Sequence, residues 1–136
     1  MKTYRHQYYL LAAGLTMLAV GGYIALMPHG YLLNLGVDSK TLLDGNGINS
    51  NLLSDLRGMG GMLLFTGIFI FISSFRLTWQ RYGLLMSALI YTAFVVFRTL
   101  SFLFEGLPAV SLIIAYSVEL ILAIIGLLLI KTGERW

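Results

Sequence analysis

The chain has no cysteine and little charge, and these two absences exclude several classes of protein. Of its 136 residues only 11% are charged, whereas a soluble domain has about 25%. Without cysteine there is no disulfide, no thiol redox pair and no cysteine-ligated metal or iron–sulfur site. The composition therefore argues against a soluble domain and against thiol chemistry.

What the sequence does contain is long apolar runs, with 58% hydrophobic residues. A membrane span needs roughly 20 such residues. We predict an all-α fold, an integral-membrane four-helix bundle, as one domain over residues 1–136. Its spans are expected at about 8–27, 50–75, 82–104 and 109–130, with an external loop over 28–49. A cleaved signal peptide is the alternative for the first run, which however continues past its small-residue site at Gly21.

Basic residues mark one side of the predicted bundle. Lys40 is alone on the side of the long loop, whereas six basic residues lie on the side of the termini: Lys2, Arg5, Arg76, Arg81, Lys131 and Arg135. The positive-inside bias then predicts that both termini are cytoplasmic. The net charge of +3 is not gathered into a basic cluster. We therefore expect the lipid bilayer, and no nucleic acid, as a partner.

Four charged residues interrupt the apolar runs, namely Asp55, Arg57, Arg98 and Glu119. With a rise of 1.5 Å per residue, both arginines lie about 10 Å from the loop end of their spans, and Glu119 lies at about 15 Å. A charge at mid-membrane costs about 2.5–3.5 kcal/mol, so such residues usually face the bundle interior and pair. Two acids and two bases are predicted to form one buried cluster.

Helix geometry separates Asp55 from Arg57 by about 200°. We therefore predict that Arg57 turns inward towards Glu119, and that Asp55 meets Arg98, an adjacent helix or the outer loop. Polar residues expected near the cluster are Asn51, Tyr91 and Ser101. Small residues expected to allow close helix packing are Gly58, Gly60, Gly61, Ala115 and Ala123.

Three functions stay open for the charged cluster. It binds a lipidic or amphipathic anionic ligand, which we favour, or it belongs to a subunit of a small proton-coupled transporter. Alternatively it is purely structural, in an assembly partner of another membrane protein or in a homo-oligomer. An enzyme is least supported, because no nucleophile–base pair has a recognisable spacing. No cofactor or metal is expected, since His6 and His29 lie at opposite membrane faces.

Several stretches together resemble a known family. A first span that ends at Pro28 is followed by LLNLGV and by NLLSDLRGMGGMLLFTG from Asn51, then by Arg98 with EGLP after it, and by Glu119. This pattern resembles the small bacterial membrane family catalogued as a domain of unknown function (4345). The resemblance implies a four-helix integral-membrane protein that spans the bacterial inner membrane several times, but it implies no activity. It supports the importance of Asn51, Arg57, Gly58, Gly61, Arg98, Pro108 and Glu119.

Overall fold

A computed structural model describes residues 2–37, 48–106 and 108–132. Across these ranges the chain forms five helices and no β strand: α1 Lys2–Leu26, α2 Pro28–Asn34, α3 Ile48–Ser73, α4 Leu77–Glu105 and α5 Val110–Thr132. Four of the five, all except the short α2, are long and apolar enough to cross a membrane. The predicted all-α fold with four candidate spans is confirmed.

The helices α1 and α4 begin earlier than the hydropathy pattern predicts. α4 starts at Leu77 instead of about residue 82, which leaves only residues 74–76 between α3 and α4. Gln80 is buried, and its Nε2 donates a hydrogen bond to the carbonyl of Ser74 (3.1 Å). This bond satisfies one of the carbonyls left free near the end of α3. Gln80, which the sequence pattern assigns to a turn, is therefore a buried residue of the first turns of α4.

The predicted external loop begins with α2. Pro28 occupies the first turn of this helix, where its missing N–H costs nothing. Gly36 ends the segment with a φ of 81°. The N–H groups of Gly36 and Val37 donate back to Leu33 and Leu32, which is the glycine-terminated motif that closes many helices. Residues 38–47 of the predicted external loop lie outside the described residues.

Glycines bring α1 and α3 into direct backbone contact. A Cβ atom on Gly21 would lie 2.5 Å from the backbone nitrogen of Leu64, and one on Gly60 would lie 2.5 Å from that of Ala25. The other facing pairs are Gly14 with Phe71 and Leu18 with Gly67. Residue numbers rise along α1 as those of the facing residues fall along α3, so the two helices are antiparallel. On each helix the two glycines stand seven residues apart and therefore lie on one side, where they line a single seam.

The other predicted packing residues lie in different places. Gly58 and Gly61 have no described atom within 4 Å of where a Cβ would be, so they face away from the protomer. Ala123 on α5 is buried, at 4% exposure. Around it, Tyr9 donates its hydroxyl hydrogen to the carbonyl of Leu122 (3.0 Å). The half of the bundle nearer the termini is therefore filled by a close-packed core.

Candidate functional site

An ion pair between α4 and α5 is the centre of the candidate site. The Nε of Arg98 lies 2.8 Å from Oε2 of Glu119, and its Nη2 donates to Oε1 at 3.1 Å. The two side chains are 22% and 12% exposed. Of these two contacts only the one from Nη2 is a hydrogen bond; Nε and Oε2 are adjacent, yet neither has a hydrogen-bond partner among the described residues. A hydrogen bond between two charged groups is stronger than one between neutral groups. The pair therefore fixes how α4 and α5 face each other.

The ion pair lies in the wall of a cavity of about 230 Å³. All five helices contribute to this cavity, which occupies the half of the bundle nearer α2. Its wall consists mainly of apolar side chains, together with a few polar ones: Thr16, Met17, Val20, Ile24, Tyr31, Leu56, Met59, Leu63, Tyr91, Phe94, Arg98, Ala115, Val118 and Glu119. Concave apolar surface with a few convergent polar groups is the usual form of a small-molecule site.

The residues that α4 contributes to the site are regularly spaced along the helix. Tyr91, Phe94 and Arg98 follow each other at three- and four-residue steps and therefore share one face of the helix. Tyr91 is buried, and its hydroxyl donates to the carbonyl of Ala13 on α1 (2.8 Å). The guanidinium carbon of Arg98 lies 5.8 Å from the ring centroid of Phe94, within cation–π range. Arg98 is thus oriented by a carboxylate and an aromatic ring.

The short helix α2 closes the end of the cavity. Tyr31 packs edge-on against Tyr23 of α1, with ring centroids 6.4 Å apart. The side-chain N–H of Asn34 donates a hydrogen bond to the Tyr23 hydroxyl (2.8 Å). The backbone carbonyl of Asn34 accepts a hydrogen bond from the hydroxyl of Ser111 on α5 (3.3 Å). These contacts attach α2 to α1 and to α5. They fix the position of α2 at the end of the cavity.

The structure brings only some of the predicted site residues together. Arg98, Glu119, Tyr91 and Ala115 all line the cavity. The other four residues of the predicted cluster do not: Asn51, Asp55 and Arg57 are exposed on α3, and Ser101 donates to the Glu105 carboxylate at 2.6 Å near the C-terminal end of α4. The site therefore contains one acid and one base instead of two of each.

The prediction that Arg57 turns inward towards Glu119 is wrong. Glu119 pairs with Arg98, and the Arg57 side chain is exposed. The inward face of α3 near Arg57 is the face of Gly60, which lies directly against α1 and not against α5. Helical periodicity shows which residues share a face, but it does not show which neighbouring helix that face meets. The predicted contact of Asp55 with Arg98 is not formed either, since Asp55 is exposed on α3 and Arg98 pairs with Glu119. The alternative partner of Asp55, the outer loop, includes residues 38–47, which lie outside the described residues.

The apolar wall of the cavity has no counterpart among the sequence-based predictions. Met17, Leu63 and Val118 line the cavity, but they are of the same residue types as those on the outside of the bundle. Thr16 is the one signal that the sequence offers, because it is the only serine or threonine between Leu10 and Leu26 in the apolar run of α1. Its hydroxyl donates to the carbonyl of Ala12 (2.9 Å).

The ion pair leaves hydrogen-bonding capacity for a ligand. A guanidinium has five N–H donors, and one of those on Nη2 is hydrogen-bonded to Glu119. Nε lies beside Oε2 without a hydrogen bond, so four donors of Arg98 have no acceptor in this pair. An oxygen acceptor that enters the cavity can bind these donors while its apolar part lies against the walls.

Four long apolar helices with a largely buried ion pair between two of them are typical of a small membrane protein. More specifically, the chain belongs to the family described as a domain of unknown function (DUF4345), whose model matches residues 6–130. The resemblance noted in the sequence is thereby confirmed. No curated protein and no solved structure matches the chain significantly. Because the family description carries no activity, function is inferred from the site.

Proposed function

We propose that this membrane protein binds a small amphipathic ligand with an anionic end, and that it carries out no chemistry on it. One observation carries the proposal: the Arg98–Glu119 pair lines an otherwise mainly apolar cavity. A purely structural ion pair gains most where side chains close tightly around it. Here the pair borders open space that a ligand can occupy.

The apolar part of the ligand is expected to lie against α1 and α3. Met17, Val20 and Ile24 of α1 and Leu63 of α3 form this side of the cavity. The volume of about 230 Å³ is below the roughly 300–1,000 Å³ of sites for drug-sized ligands. A short acyl chain, or the end of one lipid chain, fits this space better than a whole phospholipid.

The polar end is expected to bind donors of Arg98 that are not hydrogen-bonded to Glu119. A carboxylate or phosphate accepts such bonds with good geometry. Because Glu119 already balances the charge of Arg98, the ligand gains directional hydrogen bonds more than net electrostatic attraction. A binding role also suits the pair better than catalysis, since each charged group is engaged by the other.

The location supports delivery from the membrane. The excess of basic residues near the termini favours cytoplasmic termini. In that orientation, within the bacterial inner membrane that we propose, α2 and the cavity would lie in the outer half. A ligand of lipidic origin then reaches the site from the outer leaflet. α2 stands between the cavity and the outer surface.

Native mass spectrometry of the protein purified in mild detergent tests this proposal. We expect the wild type to retain a small amphipathic molecule, and the double variant Arg98→Met/Glu119→Leu to lose it. Changing both residues removes the donors without leaving one buried charge unpaired. The matched control is Ser101→Ala/Glu105→Gln, which removes the exposed polar pair of α4 outside the cavity.

The control variant is expected to retain the same mass as the wild type. If the double variant retained that molecule in the same proportion, the ion pair would be structural and the proposal would be wrong. A molecule that is lost from the control as well would show binding elsewhere on the bundle.

A further inference from the structure

We infer that the outward face of α3 is the interface with a second copy of this chain, in which Asp55 of each copy pairs with Arg57 of the other. The outward face is defined here as the side of α3 that presents Asn51, Ser54, Gly58, Gly61, Met62 and Phe65. This inference is independent of the ligand site, because α3 contributes Leu56, Met59 and Leu63 to the cavity from a different side.

The first observation is charge left without a partner inside a candidate span. Asp55 and Arg57 are both exposed, and both lie within the span Ser50–Ser73. Neither has an ion pair or side-chain hydrogen bond within the described part of the chain. Charged residues at this depth normally face protein or water and pair with one another. A long arginine can extend towards the membrane surface, but the short Asp55 side chain cannot.

The second observation is the placement of these charges on either side of a small-residue stripe. At 100° per residue, Ser54, Gly58 and Gly61 form a narrow line along α3. Asp55 lies roughly 90° to one side of this line and Arg57 roughly 70° to the other. The stripe therefore has an acid along one edge and a base along the opposite edge.

Two-fold symmetry makes this arrangement complementary to itself. When two parallel helices face each other, the left edge of one lies beside the right edge of the other, as do the charged flanks of a parallel coiled coil. Asp55 of one copy then meets Arg57 of the other, and the same contact repeats on the far side. Copies inserted in the same direction are parallel, so the paired residues differ in depth by only about 3 Å.

The stripe also has room for close contact. Gly58 and Gly61 have no described atom within 4 Å of the point that a Cβ atom would occupy. Ser54 and Gly58 stand four residues apart, which is the small-xxx-small spacing that allows two membrane helices to approach closely. The opposite side of α3 already uses Gly60 and Gly67 in this way against α1. The outward face offers the same kind of surface without an occupant in the described protomer.

Disulfide crosslinking in native membranes tests the inference, because the chain has no cysteine of its own. Gly58→Cys is expected to give a dimer on mild oxidation, since a disulfide requires the two Cα atoms to come within about 7 Å. The matched control is Phe97→Cys on α4, which is 69% exposed. It lies as far from the end of its helix as Gly58 lies from Ser50, about 12 Å. The control is expected to remain monomeric.

Charge reversal tests the paired residues themselves in the Gly58→Cys background. Asp55→Arg alone and Arg57→Asp alone each place like charges opposite one another. Each is expected to weaken dimerisation by about tenfold or more, from the loss of two interhelical contacts. The combined Asp55→Arg/Arg57→Asp variant exchanges the charges and is expected to restore the dimer.

Three results would overturn the inference. These are equal crosslinking of Gly58→Cys and Phe97→Cys, a combined variant no better than the single ones, and capture of a different membrane protein at Gly58→Cys. If a charge-reversed variant did not fold, the comparison of Gly58→Cys with Phe97→Cys would still test whether the outward face of α3 is the interface. If Gly58→Cys gave no dimer in the otherwise unchanged chain while ligand binding was intact, this inference would be wrong and the proposed function would still stand.

Discussion

Replacing Glu119 with leucine is expected to destabilise the protein by about 3 kcal/mol, because it leaves the Arg98 guanidinium in an apolar wall without its counter-ion. Breaking a buried pair from one side costs about 3–5 kcal/mol, and the 22% exposure of the Arg98 side chain places the effect at the lower end of that range. Arg98→Met is expected to cost a similar amount. The measurement is the free energy of unfolding in mild detergent.

The double variant Arg98→Met/Glu119→Leu serves as the control for this prediction. We expect it to be clearly more stable than either single variant, since no unpaired charge remains and the new side chains are apolar. Destabilisations that simply add in the double variant would contradict a direct interaction between the two side chains.

Gly21→Ala is expected to destabilise the protein by about 3 kcal/mol, at the upper end of the range for an overpacked core. Its new Cβ would lie 2.5 Å from the backbone nitrogen of Leu64 and 2.8 Å from the backbone carbonyl carbon of Leu63. Backbone atoms cannot rotate away as a side chain does, so α1 and α3 must separate. Thermal unfolding in the same detergent measures the loss.

The neighbouring glycine provides a matched control. A Cβ on Gly22 would meet only the Cδ1 atom of Leu64, at an ordinary 3.7 Å. Gly22→Ala is therefore expected to leave stability unchanged or to raise it slightly through helix propensity. Equal losses in both variants would mean that the glycine seam does not hold α1 against α3.

The fold could be predicted because its main signal is local. Runs of about 20 apolar residues have few alternatives to a spanning helix, and the four long helices follow these runs. Helix ends are harder to predict, because Gln80 looks like a turn residue until its bond to the Ser74 carbonyl is known. Gly60 can be identified as a packing residue, but its partner on α1 and the role of Gly21 depend on tertiary contacts.

The site could be predicted only in part. Arg98 and Glu119 stand out as charges in apolar runs, and the structure brings these two together. Arg57 stands out equally, yet it is exposed. The difference lies in the rotation of α3 about its axis, which the α1–α3 seam fixes and the sequence of α3 alone does not. The apolar wall gives no sequence signal, because leucine and methionine suit a cavity and a lipid-facing surface alike.

Titration of octanoate, with octanol as the uncharged counterpart, is the most direct test of an amphipathic site beside Arg98. Binding to the purified protein is measured by calorimetry for the wild type and for Ala115→Phe. The substituted side chain extends into the cavity that Ala115 lines and leaves both charges in place. We predict that octanoate binds the wild type more tightly than octanol does, and that Ala115→Phe abolishes this binding. Equal binding of octanoate to both proteins would contradict the account.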